Sequence, residues 1–278
     1  MKFIDEKALI DICNDVNGEY GLFVSIPETN EKFTLNEHKK FNAASTIKIP
    51  LLALLFKDFE EGRLDRNEVF ALSDVNNVLG SGVLKSLTPN IKLSLYDYAV
   101  LMMIVSDNSA TNQIIDALGM DRANEFFAAN GWKETHLAGK LYSKKPLLPD
   151  GTEDYNSTSA ADLGDMMEKV LFGKMVSENV SRQMMQIMAA QQYGKFNLSI
   201  PVERFSRTLE ELPPVPEGRV IMANKGGSLV GKVLHDAAIM MLPNGRKAVM
   251  TMMTATPDNN ITTEQFKRVS KTLYDAMK

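Results

Sequence analysis

The order of strand-like and helical segments constrains this chain more than any single residue does. Strand-like stretches gather near the two ends, at 20–26 and 32–35 on one side and at 219–223, 233–242 and 247–254 on the other. Pro243-Asn244-Gly245, between the last two, is a hairpin signal. Phe266, Val269, Leu273 and Met277 recur at spacings of three and four and mark a terminal helix, and Ile4, Ile12 and Val16 suggest another before the first strand. From about Ser45 to Met188 the pattern is mostly helical, as at 51–60, 95–105, 109–118, 123–130 and 161–171, with Thr158-Ser159 as a cap for the last. The two ends therefore read as one antiparallel sheet flanked by helices, with an all-helical lobe inserted. This is an α/β (α+β) fold of two lobes. The expected layout is a single catalytic domain over 1–278, its α/β lobe at about 1–44 and 215–278 and its helical lobe at about 45–214.

One segment fits neither pattern. From Leu137 to Ser157 the chain has Pro146, Pro149-Asp150-Gly151 and several polar residues without a period. A loop of that length inside a compact domain is uncommon and usually functional. Composition narrows the partners. A net charge of −4 and a pI near 5.6 argue against a groove for nucleic acid, and no cofactor or metal is implied. Cys13 is the single cysteine, so no intramolecular disulfide can form. The longest strongly apolar run, Ile49 to Phe56, is too short to span a bilayer, and acids and a lysine interrupt the start where a secretory leader needs an apolar core. The expectation is a cytoplasmic monomer acting on a small molecule, extracytoplasmic only if a leader has been removed.

Three short motifs carry candidate chemistry. In Ser45-Thr46-Ile47-Lys48, helical spacing would make the serine hydroxyl and the lysine amine neighbours. A serine is a weak nucleophile until a base takes its proton, and a desolvated lysine can be that base. Backbone N–H groups at a helix start favour developing negative charge. Ser-x-x-Lys alone is weak, since average composition yields about one per chain of this length; a capping serine with a surface lysine explains it as well. Ser106-Asp107-Asn108 is rarer, but each of its residues also suits a helix cap. Lys225-Gly226-Gly227-Ser228, on a late strand, also reads as a turn or a glycine bulge.

In this order, the three motifs resemble the class A β-lactamases and penicillin-binding proteins. Gly80-Ser81-Gly82, Asn156-Ser157-Thr158 and the terminal helix extend the resemblance over most of the chain. It implies the β-lactamase/transpeptidase-like fold and an acyl-enzyme mechanism on a β-lactam, amide or ester. By that resemblance Ser45 attacks the carbonyl, Lys48 is the base and Ser106 passes a proton to the leaving nitrogen. Asn108 binds the substrate's side-chain amide, and Lys225 attracts a carboxylate. The N–H groups of Ser45 and Ser228, beside Gly227, form the oxyanion hole, each such donor contributing about 3 kcal/mol.

Two departures qualify the match. The family's long loop carries a glutamate that activates the deacylating water, but here its place falls near Leu141, and the nearest loop acids are Asp150, Glu153 and Asp154. Gly226 stands where the family has threonine or serine, so a hydroxyl for the substrate carboxylate is missing and Ser228 is its partial substitute. Fast or moderate acylation with slow deacylation follows. The competing functions are a cytoplasmic esterase or amidase, or a DD-peptidase-like enzyme, on another substrate, and a non-catalytic binding protein on the same scaffold.

Other motifs fall away. Gly226 to Val233 nearly matches a phosphate-binding loop but lacks its final hydroxyl and its helix. His38, His136 and His235 show no metal spacing, and His235 and Asp236, adjacent on a strand, point to opposite faces. The methionines read as adaptable core filler, and Cys13 as a buried small apolar residue.

Overall fold

The computed structural model describes residues 2–15, 17–74, 77–144, 146–205, 211–256 and 258–278. Its main sheet draws on both chain ends, as the pattern requires. Strands β1 (Glu19–Ile26) and β2 (Glu31–Leu35) come from one end, and β7 (Ile221–Leu229), β8 (Val233–Met241) and β9 (Lys247–Ala255) from the other; all pairings are antiparallel in the order β2-β1-β9-β8-β7. Two short pairs complete the strands: β3 (Phe41–Asn42) with β6 (Ser157–Thr158), and β4 (Val69–Ala71) with β5 (Lys92–Ser94). The hairpin forms as expected, with Gly245 at a positive φ of 84° closing the turn between β8 and β9.

The sheet buries both faces. Against one lie helices α1 (Glu6–Asn14) and α8 (Asn259–Met277), over Leu22, Val24, Leu234, Met240, Met250 and Met252. The four periodic residues of α8, Phe266, Val269, Leu273 and Met277, are fully buried there, each a gain of about 1.5–3 kcal/mol. Helix α1 is shorter than its periodic residues suggested. Ile4 is buried ahead of it, Val16 lies outside the described residues, and Leu9, Ile12 and Cys13 form its buried stripe.

The other face meets the helical segment: α2 (Lys48–Glu60), α3 (Leu95–Ile104), α4 (Asn108–Leu118), α5 (Met120–Ala129), α6 (Ala160–Leu171) and α7 (Glu178–Ala189). Helix α2 is buried nearly all round, which is why its sequence reads as an unbroken apolar run. Ser159 caps α6 by accepting from the Asp162 N–H, and α6 packs on β1 and β9. No helix among the described residues is long and apolar enough to cross a membrane.

Candidate active site

The site is assembled where the helical segment meets β7 and β8. Ser45 sits on a 3₁₀ turn, Ala44–Ile47, ahead of α2, and not on the α-helix that the spacing suggested. The Thr46 N–H and hydroxyl both bond the Ala43 carbonyl, at 3.0 and 2.7 Å, which tightens the turn. Pro50 has no N–H to return to the Thr46 carbonyl, so regular α-helical bonding is interrupted at that carbonyl. Ala44 takes a left-handed φ of 45°, held by its N–H to the Asn42 side chain at 3.0 Å.

Lys48 opens α2 with no solvent exposure. Its amine bonds the Ser106 carbonyl at 2.8 Å, the Ser106 hydroxyl at 3.1 Å and the Asn108 Oδ1 at 3.0 Å. Among the described residues, the hydrogen bonds of the Lys48 amine go to Ser106 and Asn108, where the spacing had suggested Ser45 as its neighbour. Burial and the nearby Lys225 charge hold the Lys48 pKa well below its ordinary value, against an opposing pull from Asp107.

Ser106 occupies the link between α3 and α4 at a left-handed φ of 56°, a conformation a serine adopts only when its surroundings impose it. Asp107 imposes it. One carboxylate oxygen caps α4 through the Ala110 N–H at 3.0 Å, and the other accepts from the Val83 and Leu84 N–H groups at 2.6 and 2.9 Å. Of the three polar residues that could have capped α4, Asp107 does so, which frees Ser106 and Asn108 to face Lys48. Lys225, fully buried on β7, bonds the Ser106 hydroxyl at 3.0 Å and the Gly226 carbonyl at 2.7 Å. Desolvation lowers its pKa to about 7, with Asp236 pulling the other way. The Ser106 hydroxyl therefore lies between two lysine amines.

Gly227 has a steric reason. A Cβ there would stand 2.9 Å from the Ser45 nitrogen, so only glycine lets β7 touch the serine turn. At Gly226 a Cβ would point to the other side, 3.2 Å from the Tyr193 carbonyl. Two cavities meet at Ser45. One, of about 420 Å³, includes Ser106, Lys225, Gly226, Ser228, Lys85 and Lys195; the other, of about 310 Å³, includes Asn108, Leu141, Tyr142, Tyr155, Asn156 and Leu229. Neither has an aspartate or glutamate among its described lining residues.

The long loop explains that absence. Leu141 is clamped by Asn112, which accepts from its N–H at 2.8 Å and donates to its carbonyl at 3.0 Å. Asp150 is bound to Thr152, Asp154 faces His136 Nε2 at 3.2 Å, and Glu153 is exposed; none lines either cavity. Lys145 lies outside the described residues. Asn156 ties the loop's two ends by accepting from the Ala138 and Gly139 N–H groups, and its carbonyl accepts from Ala43 N–H at 2.7 Å.

Sequence reasoning missed Asn112, Lys85, Lys195 and Tyr142. Asn112 was within reach, since it lies one helical turn from Asn108 on the same face. The others depend on loop geometry, for which the sequence carries no period.

Residues 6–277 match the sequence model described as the beta-lactamase enzyme family. The chain belongs to that family. Among curated relatives, the Pseudomonas aeruginosa beta-lactamase CARB-3 is 26% identical over 166 residues, 59% of this chain and 56% of the relative. The imipenem-hydrolyzing beta-lactamase of Enterobacter cloacae is 25% identical over 180 residues, 64% and 60% respectively. The match thus spans little more than half the length of these relatives. Solved structures align far more completely. A beta-lactamase from Sphaerobacter thermophilus superposes with a TM-score of 0.84 at 26% identity over 98% of both chains. A leucine-to-glutamate mutant of PBP-A, captured as an acyl-enzyme complex with penicillin G, gives 0.80 at 27% identity, covering 97% of this chain and 94% of that one. The family's β-lactamase/transpeptidase-like fold is the fold of this chain.

Proposed function

We propose that this chain is an active-site-serine hydrolase that is acylated at Ser45 by β-lactams or related amides and esters and releases the acyl group slowly. The carrying observation is the convergence of three distant motifs on one hydroxyl: Lys48 and Lys225 both bond Ser106, and Asn108 holds Lys48. Such a network has little structural use and a clear chemical one.

In this reading the Ser45 oxygen attacks the carbonyl carbon and its proton passes to the neutral Lys48 amine. Lys48 returns a proton through Ser106 to the departing nitrogen or oxygen as the scissile bond breaks, so no proton is gained or lost in acylation. The N–H groups of Ser45 and Ser228 receive the oxyanion. Lys225 and Asn108 orient the substrate's carboxylate and amide. The active site then lies between an α/β lobe at about 1–44 and 215–278 and a helical lobe at about 45–214.

Deacylation needs a base for water. Leu141 and Ser45 line the same cavity, and no carboxylate joins them among the described residues. That supports a long-lived acyl-enzyme, and the penicillin G adduct of a leucine-to-glutamate PBP-A mutant supports β-lactams as acylating agents. Intact mass after mixing with penicillin G tests the reading. A single adduct on Ser45 that persists for minutes, and is lost in Ser45→Ala, is expected; complete turnover with no adduct overturns the slow step. A second reading, an esterase or amidase whose substrate lacks the usual carboxylate, is favoured by Gly226; it predicts turnover of nitrophenyl esters that Ser45→Ala abolishes.

A further inference from the structure

The catalytic reading leaves a buried titratable side chain on the site-facing side of the sheet unused. His235 is fully buried on β8, directly across the ladder from Gly227. Paired residues share a face of a sheet, so His235 and the missing side chain of Gly227 look the same way. On that face β7 presents bare backbone against the Ser45 nitrogen, and β8 presents an imidazole.

Both ring nitrogens are used. Nε2 meets the Asn42 carbonyl at 2.7 Å, and Nδ1 accepts from the Thr254 N–H at 3.1 Å. A carbonyl can only accept and an N–H only donate, so the tautomer is fixed with its hydrogen on Nε2. Asn42 is the residue whose side chain holds Ala44 N–H, three positions before the nucleophile. The ring thus ties two central strands to the start of the serine turn, and Phe41 packs edge-on against it at 6.0 Å between centroids. The two oxyanion donors belong to different bodies, Ser45 to the turn and Ser228 to the sheet. Whatever fixes the spacing between turn and sheet fixes the width of the oxyanion hole.

We infer that His235 is a positioning residue that sets this spacing through its bond to the Asn42 carbonyl. The inference rests on the acyl-transfer reading above and adds a residue that touches no substrate. A misplacement of about 1 Å between catalytic groups costs about a hundredfold in rate. Removing the bond therefore slows acylation and leaves initial binding unchanged.

The test compares the parent with His235→Leu and His235→Gln, the second keeping an N–H that reaches Asn42. Acylation by penicillin G and by p-nitrophenyl acetate is resolved into binding and chemical steps, with Tm recorded for each protein. His235→Leu is expected to slow the chemical step by about a hundredfold with Kd unchanged, and His235→Gln to recover most of it at similar Tm. Equal acylation rates in all three proteins overturn the inference and leave the Ser45 reading intact. A parent that neither probe acylates overturns the reading instead. The inference is then decided by the Ser45 amide resonance in an ¹H–¹⁵N spectrum. It must move in His235→Leu and return in His235→Gln; a resonance unmoved in His235→Leu overturns it.

Discussion

The two walls of the cleft are built on opposite plans. On the Lys225 side, side chains converge: two lysines, a serine and an asparagine bond one another within 2.8–3.1 Å, and all four are buried. On the long-loop side, backbone is clamped by side chains from elsewhere, Leu141 by Asn112 and the loop ends by Asn156, and the surface offered to Ser45 is apolar or neutral. The first wall is a network of polar side chains, and the second holds a shape. Under the acyl-transfer proposal, acylation and release would draw on different sets of groups and would be separable.

The sharpest way to break the comparison is Ser45→Ala, which should abolish every covalent adduct seen by mass. Lys48→Met comes next: loss of a positioned base should slow acylation by about 10²- to 10⁴-fold while Asn108 and Ser106 remain in place. Leu141→Glu tests the other wall. A carboxylate beside Ser45 should shorten the adduct's lifetime by about a hundredfold or more and leave the acylation rate near the parent's. If acylation and release change together, the two walls are not independent.

A smaller effect concerns pH. The Lys225 pKa is lowered to about 7, so the amine carries its charge below that pH and loses it above. Affinity for a substrate bearing a carboxylate should fall as pH rises through 7, whereas KM for a neutral ester should stay flat. The same shift has a stability sign. The unfolded lysine holds its proton to about 10.5 and the folded one only to about 7, so the burial cost is full below 7 and fades as pH rises between them. Smallest is Lys195→Ala, which removes a cation lining the polar cavity and should raise KM for anionic substrates only several-fold, in line with a partly exposed charge.

Much of this was legible in the sequence. The sheet from both ends, the hairpin and the terminal helix follow from periodicity and turn chemistry. The motifs Ser45 to Lys48, Ser106 to Asn108 and Lys225 to Ser228 could be read because each is short and contiguous, and the structure brings them together. What could not be read is which residue of a motif does which task. Asp107 takes the cap and Ser106 the strained φ, a division set by the Val83 and Leu84 N–H groups on another loop. The 3₁₀ turn under Ser45 depends on Asn42 and Asn156, whose bonds span loops without a period. His235 has no metal spacing in the sequence, which could not show that the residue pairs across the ladder with Gly227, which packs on the Ser45 turn.

The pairing of β1 with β9 fixes an order of events during synthesis. Residues 19–25 can find their partners at 249–255 only after the more than two hundred residues between them have left the ribosome. So distant a strand pairing pays a large loop-closure cost. Ser45 emerges early but has no sheet to rest on until β7 and β8 arrive. Until β7 and β8 are made, Ser45 therefore stands without the contacts that surround it in the folded protein.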